Sequence, residues 1–283
     1  MTDDSPLVLV CLRNAVGELD GCLASLDRDL ASRDEVGLVG DASIDPQILD
    51  LLERWSQRTR LHVARYFHPD EVGPVAACNA ALRALGDRDA VLLHPAMRGT
   101  RGWLQRLHRA AIDPRLATLS PWSNDAEFLS YPFFCEANAP PERPDEIAEA
   151  AAAWPDAADI ELPGAAGVAM FLRGRAVRQL GGLDAESFST LNGALADFSR
   201  RAAAMGWRNG FCPGVFAVNA SGAATGASGE DLQRLMVRWP EFQEQVARFV
   251  MDDPMRVWRE KLSARMAEIG RQGPQRDLFG PLP

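Results

Sequence analysis

No stretch of these 283 residues comes near the roughly 20 consecutive apolar residues that a membrane-crossing helix needs. A surplus of positive charge is missing too: 30 Lys and Arg face 39 Asp and Glu, a net charge of −9. Neutralising a phosphate backbone requires the opposite balance, so nucleic acid is excluded as an expected partner. The five cysteines (Cys11, Cys22, Cys78, Cys135, Cys212) are odd in number, widely spaced and without a CxxC. That usage reads as buried free thiols in a reducing compartment. The start, Met1-Thr2-Asp3-Asp4-Ser5-Pro6, is acidic and polar, unlike a secretory signal, so a cytoplasmic protein is expected. His62, His68, His94 and His108 lack ligand spacing, and no GxSxG is present. Neither a GxGxxG nor a Walker loop follows the first apolar run, where Arg13-Asn14-Ala15-Val16-Gly17 stands instead. There are no internal repeats.

What is there is an alternation. Leu7 to Leu12 is a β-rich apolar run, and Leu19, Cys22, Leu23, Leu26 and Leu30 then recur at helical spacing. Val36–Val39 is a second strand, ending in Gly40-Asp41-Ala42-Ser43. Asp45-Pro46 opens a second helix, with Asp at the cap and Pro at the first position. Leu61–Ala64 is a third strand, followed by a helix carrying Ala76, Ala77, Ala80, Ala81 and Leu82. Asp89-Ala90-Val91-Leu92-Leu93 is the fourth strand, running into His94-Pro95-Ala96-Met97. Four strands separated by three helices predict an α/β fold with a doubly wound, mostly parallel sheet.

The second half is less regular. A short helix is expected over Trp103–Ala111 and strands over Leu116–Ser120, Gly164–Leu172 and Phe211–Val218. A helix is expected over Ala194–Met205, and residues 135–163 read as a Pro-rich surface excursion with a helix through Ala150–Ala153. A small-residue loop runs through 219–224, and from Gly229 onward the pattern is helical. The division this suggests is a domain over 1–226, a helical extension over 227–270 and a disordered tail over 271–283.

In an open sheet of this kind ligands bind beyond the carboxyl ends of the strands. Asp41, at the end of the second strand, is therefore a candidate acceptor for a ribose or base edge. A plain turn residue is the equal alternative.

Motifs now accumulate in order. Leu9-Val10-Cys11-Leu12-Arg13-Asn14-Ala15 lies where a strand would end in Pro-x-Tyr-Asn, and Val39-Gly40-Asp41-Ala42-Ser43-Ile44-Asp45 resembles Val-Asp-Asp-Gly-Ser-x-Asp. Asp70-Glu71-Val72-Gly73 and Cys78-Asn79-Ala80-Ala81-Leu82 resemble Glu-Asn-x-Gly and Arg-Asn-x-Gly-Leu. Leu92-Leu93-His94-Pro95-Ala96-Met97 with Gly102-Trp103-Leu104 is similar to Leu-Leu-Asn-Pro-Asp-Thr and Gly-Trp-Leu. Ser120-Pro121-Trp122-Ser123-Asn124-Asp125-Ala126 with Ser130-Tyr131-Pro132 echoes Ser-Pro-x-Ser-Asn-x-Ala and Ser-Tyr-Pro. Over roughly residues 7–260 the chain thus resembles the family-2 glycosyltransferases of bacterial O-antigen and rhamnosyl-transfer type. The resemblance implies the GT-A fold, a Rossmann-like sheet flanked by helices with a C-terminal helical extension. It also implies a nucleotide-sugar or glycan ligand and a place in surface-polysaccharide biosynthesis, with Arg13, Asp41, Gly73 and Asn79 at the nucleotide.

The departures fall where that family handles charge. The acid that would hold a divalent cation maps to Ala96, with His94 and Pro95 beside it. The Glu-Asp pair carrying the base maps to Ala194 and Leu195, a late His to Asn219, and an Arg to Cys78. Phosphate departure is eased by a metal, and a general base adds roughly 10²–10⁴-fold, so these losses would remove most ordinary turnover. No divalent metal or other cofactor is therefore expected. Arg98 and Arg101 are candidate substitute clamps, or a solvated loop. Asp197 is a candidate base, as are Asp184 and Glu186, and for Asp197 the alternative is orienting the helix it begins. Two readings stand: a degenerate, non-catalytic binding or regulatory scaffold, with an active transferase or another protein as partner, and an active transferase that works without a metal.

Overall fold

The computed structural model describes residues 5–221 and 228–272. Nine strands form the sheet, in the order β3-β2-β1-β4-β8-β6-β9-β5, with β7 also paired to β9. The amino-terminal half is the alternation expected. β1 (Leu7–Cys11) is followed by α1 (Val16–Asp29), β2 (Glu35–Gly40), α2 (Pro46–Ser56), β3 (His62–Phe67), α3 (Gly73–Leu85) and β4 (Ala90–Leu93). The pairs β1–β2, β2–β3 and β1–β4 are all parallel. At α2 the cap forms as the sequence predicts: the Asp45 side chain accepts from the Gln47 N–H at 2.7 Å, and Pro46 opens the helix.

Beyond β4 the sheet is mixed. β8 (Ala169–Leu172) runs antiparallel between β4 and β6 (Leu116–Ser123), while β6 and β9 (Arg208–Asn219) are parallel. Two short strands, β5 (Met97–Arg98) and β7 (Ala158–Glu161), were not expected from sequence. Two to four residues carry too little periodicity to be read, and both are held by antiparallel pairing to β9. β8 is also shorter than predicted. Its small-residue approach, 164–167, runs as a loop against α7 (Leu191–Ala204) and β6, the Ala165 N–H donating to Ser199 Oγ and the Ala166 N–H to Ser120 Oγ.

Alternation along the strands divides the core. Val8, Val10, Val91 and Leu93 face α1, α2 and α4 (Trp103–Ala110) on one side of the sheet. Leu7, Leu9, Ala90 and Leu92 face α3, α6 (Gly174–Leu180) and α7 on the other. Residues 135–146 lie at or near the surface as expected, and a third cluster corrects the rest of the expected excursion. Ile147, Ala150 and Ala151 of α5 (Pro144–Ala151) and Ala158 of β7 are buried there with Trp122, Phe211 and Phe216. Met255 and Leu262 join them, the latter from α10 (Arg256–Gln272), and α5 ends before Ala153. Of the other carboxyl-terminal helices, α8 (Gly229–Arg238) buries Leu235 and α9 (Phe242–Asp252) sets Phe249 against Phe128. The expected boundary at 226, part of the loop at 219–224 and the tail from 273 lie outside the described residues. Helix α10 continues through 271 and 272, which the sequence reading assigned to the tail.

Of the cysteines, four are buried free thiols and Cys135 is exposed. Among the described residues no helix is long and apolar enough to cross a membrane.

Strand β4 is tied to the first turn of α6 by an ion pair and a cap. Arg173 Nη1 donates to Asp89 Oδ2 at 2.6 Å, and the Gly174 N–H donates to Asp89 Oδ1 at 2.9 Å. A Cβ at Gly174 would lie 2.3 Å from the Asp87 carbonyl oxygen, so the backbones approach closely only because the residue is glycine. Gly174→Ala should lower stability by ~1–3 kcal/mol, read as a drop in the urea midpoint.

Candidate functional site

A cleft of about 240 Å³ opens at the carboxyl ends of β1 and β2. Its walls are Cys11–Asn14, Val39–Asp41, Ser43, Ile44 and, from α3, Pro74 and Ala77. It forms because the chain leaves two neighbouring parallel strands in separate turns, which Asn14 then ties together. The Asn14 Nδ2 donates to the Ser43 carbonyl, and its Oδ1 accepts from the Asp45 N–H. Beside it lies the topological switch point: the chain goes from β1 to β2 on one side, and β4 pairs with β1 on the other.

Asp41 lines this cleft, and its carboxylate is already engaged. Oδ1 accepts from the Ser43 N–H at 3.0 Å and Oγ at 2.6 Å, while Oδ2 accepts from the Val72 and Gly73 N–H groups at 2.9 and 2.7 Å. Burial alone would raise its pKa, but these four bonds outweigh it and hold it below the usual carboxylate range. A carboxylate offers about four acceptor sites, so Asp41 acts as a brace between β2 and α3 rather than as a free acceptor. Gly73, at φ +80°, spends its N–H on that brace. Asn79 is turned elsewhere. Its Nδ2 donates to the Leu183 carbonyl at 2.6 Å and its Oδ1 accepts from the Leu183 N–H at 2.8 Å. Cys78 is buried on α3, and contact with the Cys11 thiol together with burial pushes its pKa up.

Arg13 is the predicted residue that meets the altered motif. Its Nη1 stands 3.1 Å from His94 Nε2. The His94 Nδ1 accepts from the Ala96 N–H at 3.1 Å. Burial first, then the Arg13 charge, lowers the His94 pKa to about 4, against a smaller opposing effect of Glu18. Ala96 and Pro95 are buried.

The other predicted groups are placed away from the cleft. Arg98 leaves it for α1, where its guanidinium packs over Gly21, and donates to the carbonyls of Pro95 and Met97. Arg101 is exposed in the turn before α4, its N–H donating to Asp145 Oδ1. Ala194 and Leu195 are fully buried in the core. Asp197 is corrected outright. It lies in the middle of α7, which begins at Leu191 behind the Thr190 cap, and is fully buried. Its carboxylate accepts from Arg201 Nε at 2.8 Å, Arg238 Nη1 at 3.1 Å and Trp239 Nε1 at 2.9 Å. It therefore fastens the α8 end to α7, and its complete burial keeps it out of reach of a ligand. Asp184 is a brace of the same kind. Burial raises its pKa, but hydrogen bonds from Arg238 and Ser187 prevail and bring it to about 2.

Two carboxylates that sequence reasoning passed over lie nearer the altered strand. Asn219, paired with Met97 across β5 and β9, donates through Nδ2 to Asp125 O at 3.2 Å and Oδ2 at 3.4 Å. Its Oδ1 accepts from the Ser221 N–H. Burial raises the pKa of Asp125. Glu127, at φ +53°, is raised as well by protein packed around its carboxyl and by the Asp125 charge, although part of the residue meets solvent. Perturbed acids just past the end of a central strand are the signal that marks such residues, and it exists only in three dimensions.

No family model matches the chain, and no curated protein matches it in sequence. Solved structures do. A mannosyltransferase from Pyrobaculum calidifontis, in complex with GDP-Man and Mn²⁺, superposes at a TM-score of 0.56 and 16% identity, covering 96% of this chain and 76% of that one. GalNAc-T7 with UDP, GalNAc and Mn²⁺ superposes at 0.59 and 11% identity, covering 96% of this chain and 57% of that one. The chain has the GT-A glycosyltransferase fold. The expectation that no divalent metal is involved is overturned, because these neighbours of the same fold are Mn²⁺ complexes. Among the described residues no three His, Cys, Asp or Glu side chains gather to hold an ion. At the altered motif Ala96 has no donor atom, and His94 Nδ1 and Asn219 Oδ1 are engaged by backbone. Those side chains do not fit a closed cation cage.

Two outcomes are expected. His94 is neutral in the folded chain down to about pH 4 but takes up a proton near 6.5 when unfolded, so it withdraws stability as pH falls between those values. The melting temperature should drop from pH 6.5 to 4, with part of the drop absent in His94→Gln. Asp41 and Asp184, whose folded pKa values are depressed, contribute losses only below their ordinary value of 3.8. Asp197→Ala should cost about 1–3 kcal/mol, measured by denaturant unfolding, by leaving Trp239 Nε1 without its acceptor and removing the link from Arg201 and Arg238, which keep the Leu180 and Gly182 carbonyls and Asp184.

Proposed function

We propose that the protein is a nucleotide-sugar-binding member of the glycosyltransferase-like proteins of surface-glycan biosynthesis, and that it serves there as a binding or regulatory scaffold. One observation carries this reading. The cleft at the ends of β1 and β2 is open, while the positions that would supply the cation-holding acid and the base are the buried apolar side chains Ala96, Ala194 and Leu195. A carboxylate cannot be regained there by a rotamer change. Binding would then rest on the Leu12–Asn14 and Gly40–Ser43 turns, with Arg13 at the rim, and the Asp41 brace would hold the shape of the site. Partners fitting this role are a nucleotide-sugar or glycan ligand and an active transferase. The domain over 1–226 would carry the cleft, and the helical extension over 227–270 would pack on its core through Leu235, Met255 and Leu262.

Asp125 and Glu127 favour a second reading, an active transferase with a relocated acid. Among the described residues neither carboxylate is in an ion pair, and the pKa of half-buried Asp125 is raised by burial, that of the more exposed Glu127 by packing around its carboxyl and by the Asp125 charge.

Calorimetric titration with UDP-, GDP- and dTDP-sugars, each with and without Mn²⁺, separates the outcomes when coupled to a donor-turnover assay. The scaffold reading expects binding of at least one donor and no sugar transfer or donor hydrolysis under either condition. Turnover that Asp125→Asn or Glu127→Gln lowers by roughly 10²-fold or more would establish the second reading instead. Absence of binding by every donor would remove both.

A further inference from the structure

The contact between Arg13 and His94 is chemically incomplete. A backbone N–H can only donate, so the 3.1 Å bond from Ala96 requires a lone pair on His94 Nδ1. A neutral imidazole has one N–H and one lone pair while both of its nitrogens face donors; the Ala96 N–H is fixed by the backbone and the Arg13 side chain can turn, so the lone pair is assigned to Nδ1 and the proton to Nε2. That nitrogen faces Arg13 Nη1 at 3.1 Å, and guanidinium nitrogens only donate. Two donors are therefore aimed at each other with no acceptor between them. Arg13 is in no ion pair among the described residues.

The surroundings specify what would complete the contact. Arg13 follows β1 and His94 follows β4, so the pair straddles the switch point, and Arg13 also lines the adjoining cleft. Helix α1 begins three residues after Arg13, and its Ala15 cap position has no side-chain cap bond. A Cβ at Gly17, in that first turn, would meet nothing within 4 Å. The start of α1 thus has no side-chain cap, and the space beside Gly17 is open. Glu18 is the opposing charge in this region; its Oε1 accepts from Ser221 Oγ at 3.0 Å. An anion with several acceptor oxygens would accept from the guanidinium and the imidazole at once, and a phosphate matches the planar fork of arginine.

We propose that Arg13 and His94 form an oxyanion-binding pair that takes phosphate oxygens of a nucleoside diphosphate. The assignment rests on the nucleotide reading of the cleft, and it adds the group that fixes the charged end of the ligand. A nucleoside in the cleft would present its phosphates towards the β1–β4 crevice, where the two donors are already placed. His94 would contribute as a neutral donor through Nε2, its orientation set by the Ala96 N–H.

The test is titration of the full chain with pyrophosphate, and with UDP against uridine and GDP against guanosine, each with and without Mn²⁺. The variants are Arg13→Gln, Arg13→Lys, His94→Leu and His94→Gln, with thermal melts to verify folding. Pyrophosphate should bind the unsubstituted protein. Arg13→Gln and His94→Leu should weaken it by about ten- to a hundredfold, the loss of a charge-assisted hydrogen bond. Arg13→Lys should keep part of the affinity. His94→Gln should keep most of it, because its amide N–H reaches the place of Nε2. Nucleoside binding should stay unchanged in His94→Leu and His94→Gln, because His94 does not line the cleft. Pyrophosphate binding that no substitution alters, or no pyrophosphate binding at all, overturns the pair. If uridine and guanosine still bind in either case, the cleft reading survives that loss. Pyrophosphate captured through Arg13 and His94, with no nucleoside bound and no gain for the nucleoside diphosphates, would keep the pair and overturn the cleft reading.

Discussion

The parallel pairing of β1 with β4 is the constraint on which both the fold and the site depend. It places Leu7–Val10 against Ala90–Leu93 in the middle of the sheet, with alternate side chains committed to opposite core faces. A slip of one residue would turn both sets outward, so the register is strongly determined. The same register sets the turn after β1 beside the turn after β4 and brings Arg13 within 3.1 Å of His94. The Asp41 carboxylate does complementary work one strand over. By accepting from Ser43, Val72 and Gly73 it fixes the end of β2 to the start of α3, and the cleft wall keeps its shape without any ligand.

Much of the first half was legible in the sequence because each signal was local. The apolar run at Leu7, the helical spacing from Leu19 to Leu30 and the Asp45-Pro46 start are each complete within a dozen residues, and each formed as expected. The second half depends on partners far along the chain. β5 and β7 exist because β9 pairs with them, and α5 is buried because Trp122, Phe211 and Met255 supply its core. No window of sequence around residue 150 carries that information. The Pro-rich turn around Ala139 and Pro140 does lie at the surface as expected, but the helix that follows it is buried through Ile147, Ala150 and Ala151.

The site was legible in position more than in chemistry. Arg13 and Asp41 line the cleft; the end of the second strand pointed to Asp41, and the family resemblance to Arg13. Their roles needed hydrogen-bond partners to be known. Asp41 turned out saturated, Asn79 bonded to Leu183 and Asp197 buried between two arginines and an indole. A charged residue in a familiar motif slot can thus serve the scaffold alone. In the other direction, Asp125 and Glu127 fell in a segment whose interest in sequence was its packing pattern. They became visible only when β6 and β9 set Asp125 against Asn219.

The expectation about metal failed for a related reason. It was inferred from the acid missing at Ala96 and the late His missing at Asn219, whereas the structures of the same fold carry Mn²⁺ together with GDP-Man, or with UDP and GalNAc. Whether such a ligand seats where the fold provides room is therefore the central question for this protein. Hydrogen exchange of the full chain, with and without saturating nucleoside diphosphate and Mn²⁺, tests it most directly. The account predicts slowed exchange confined to the turns at 12–17, 40–44 and 94–97, at the carboxyl ends of β1, β2 and β4. Protection centred instead on α8 to α10, or no protection at any nucleotide concentration, would contradict it.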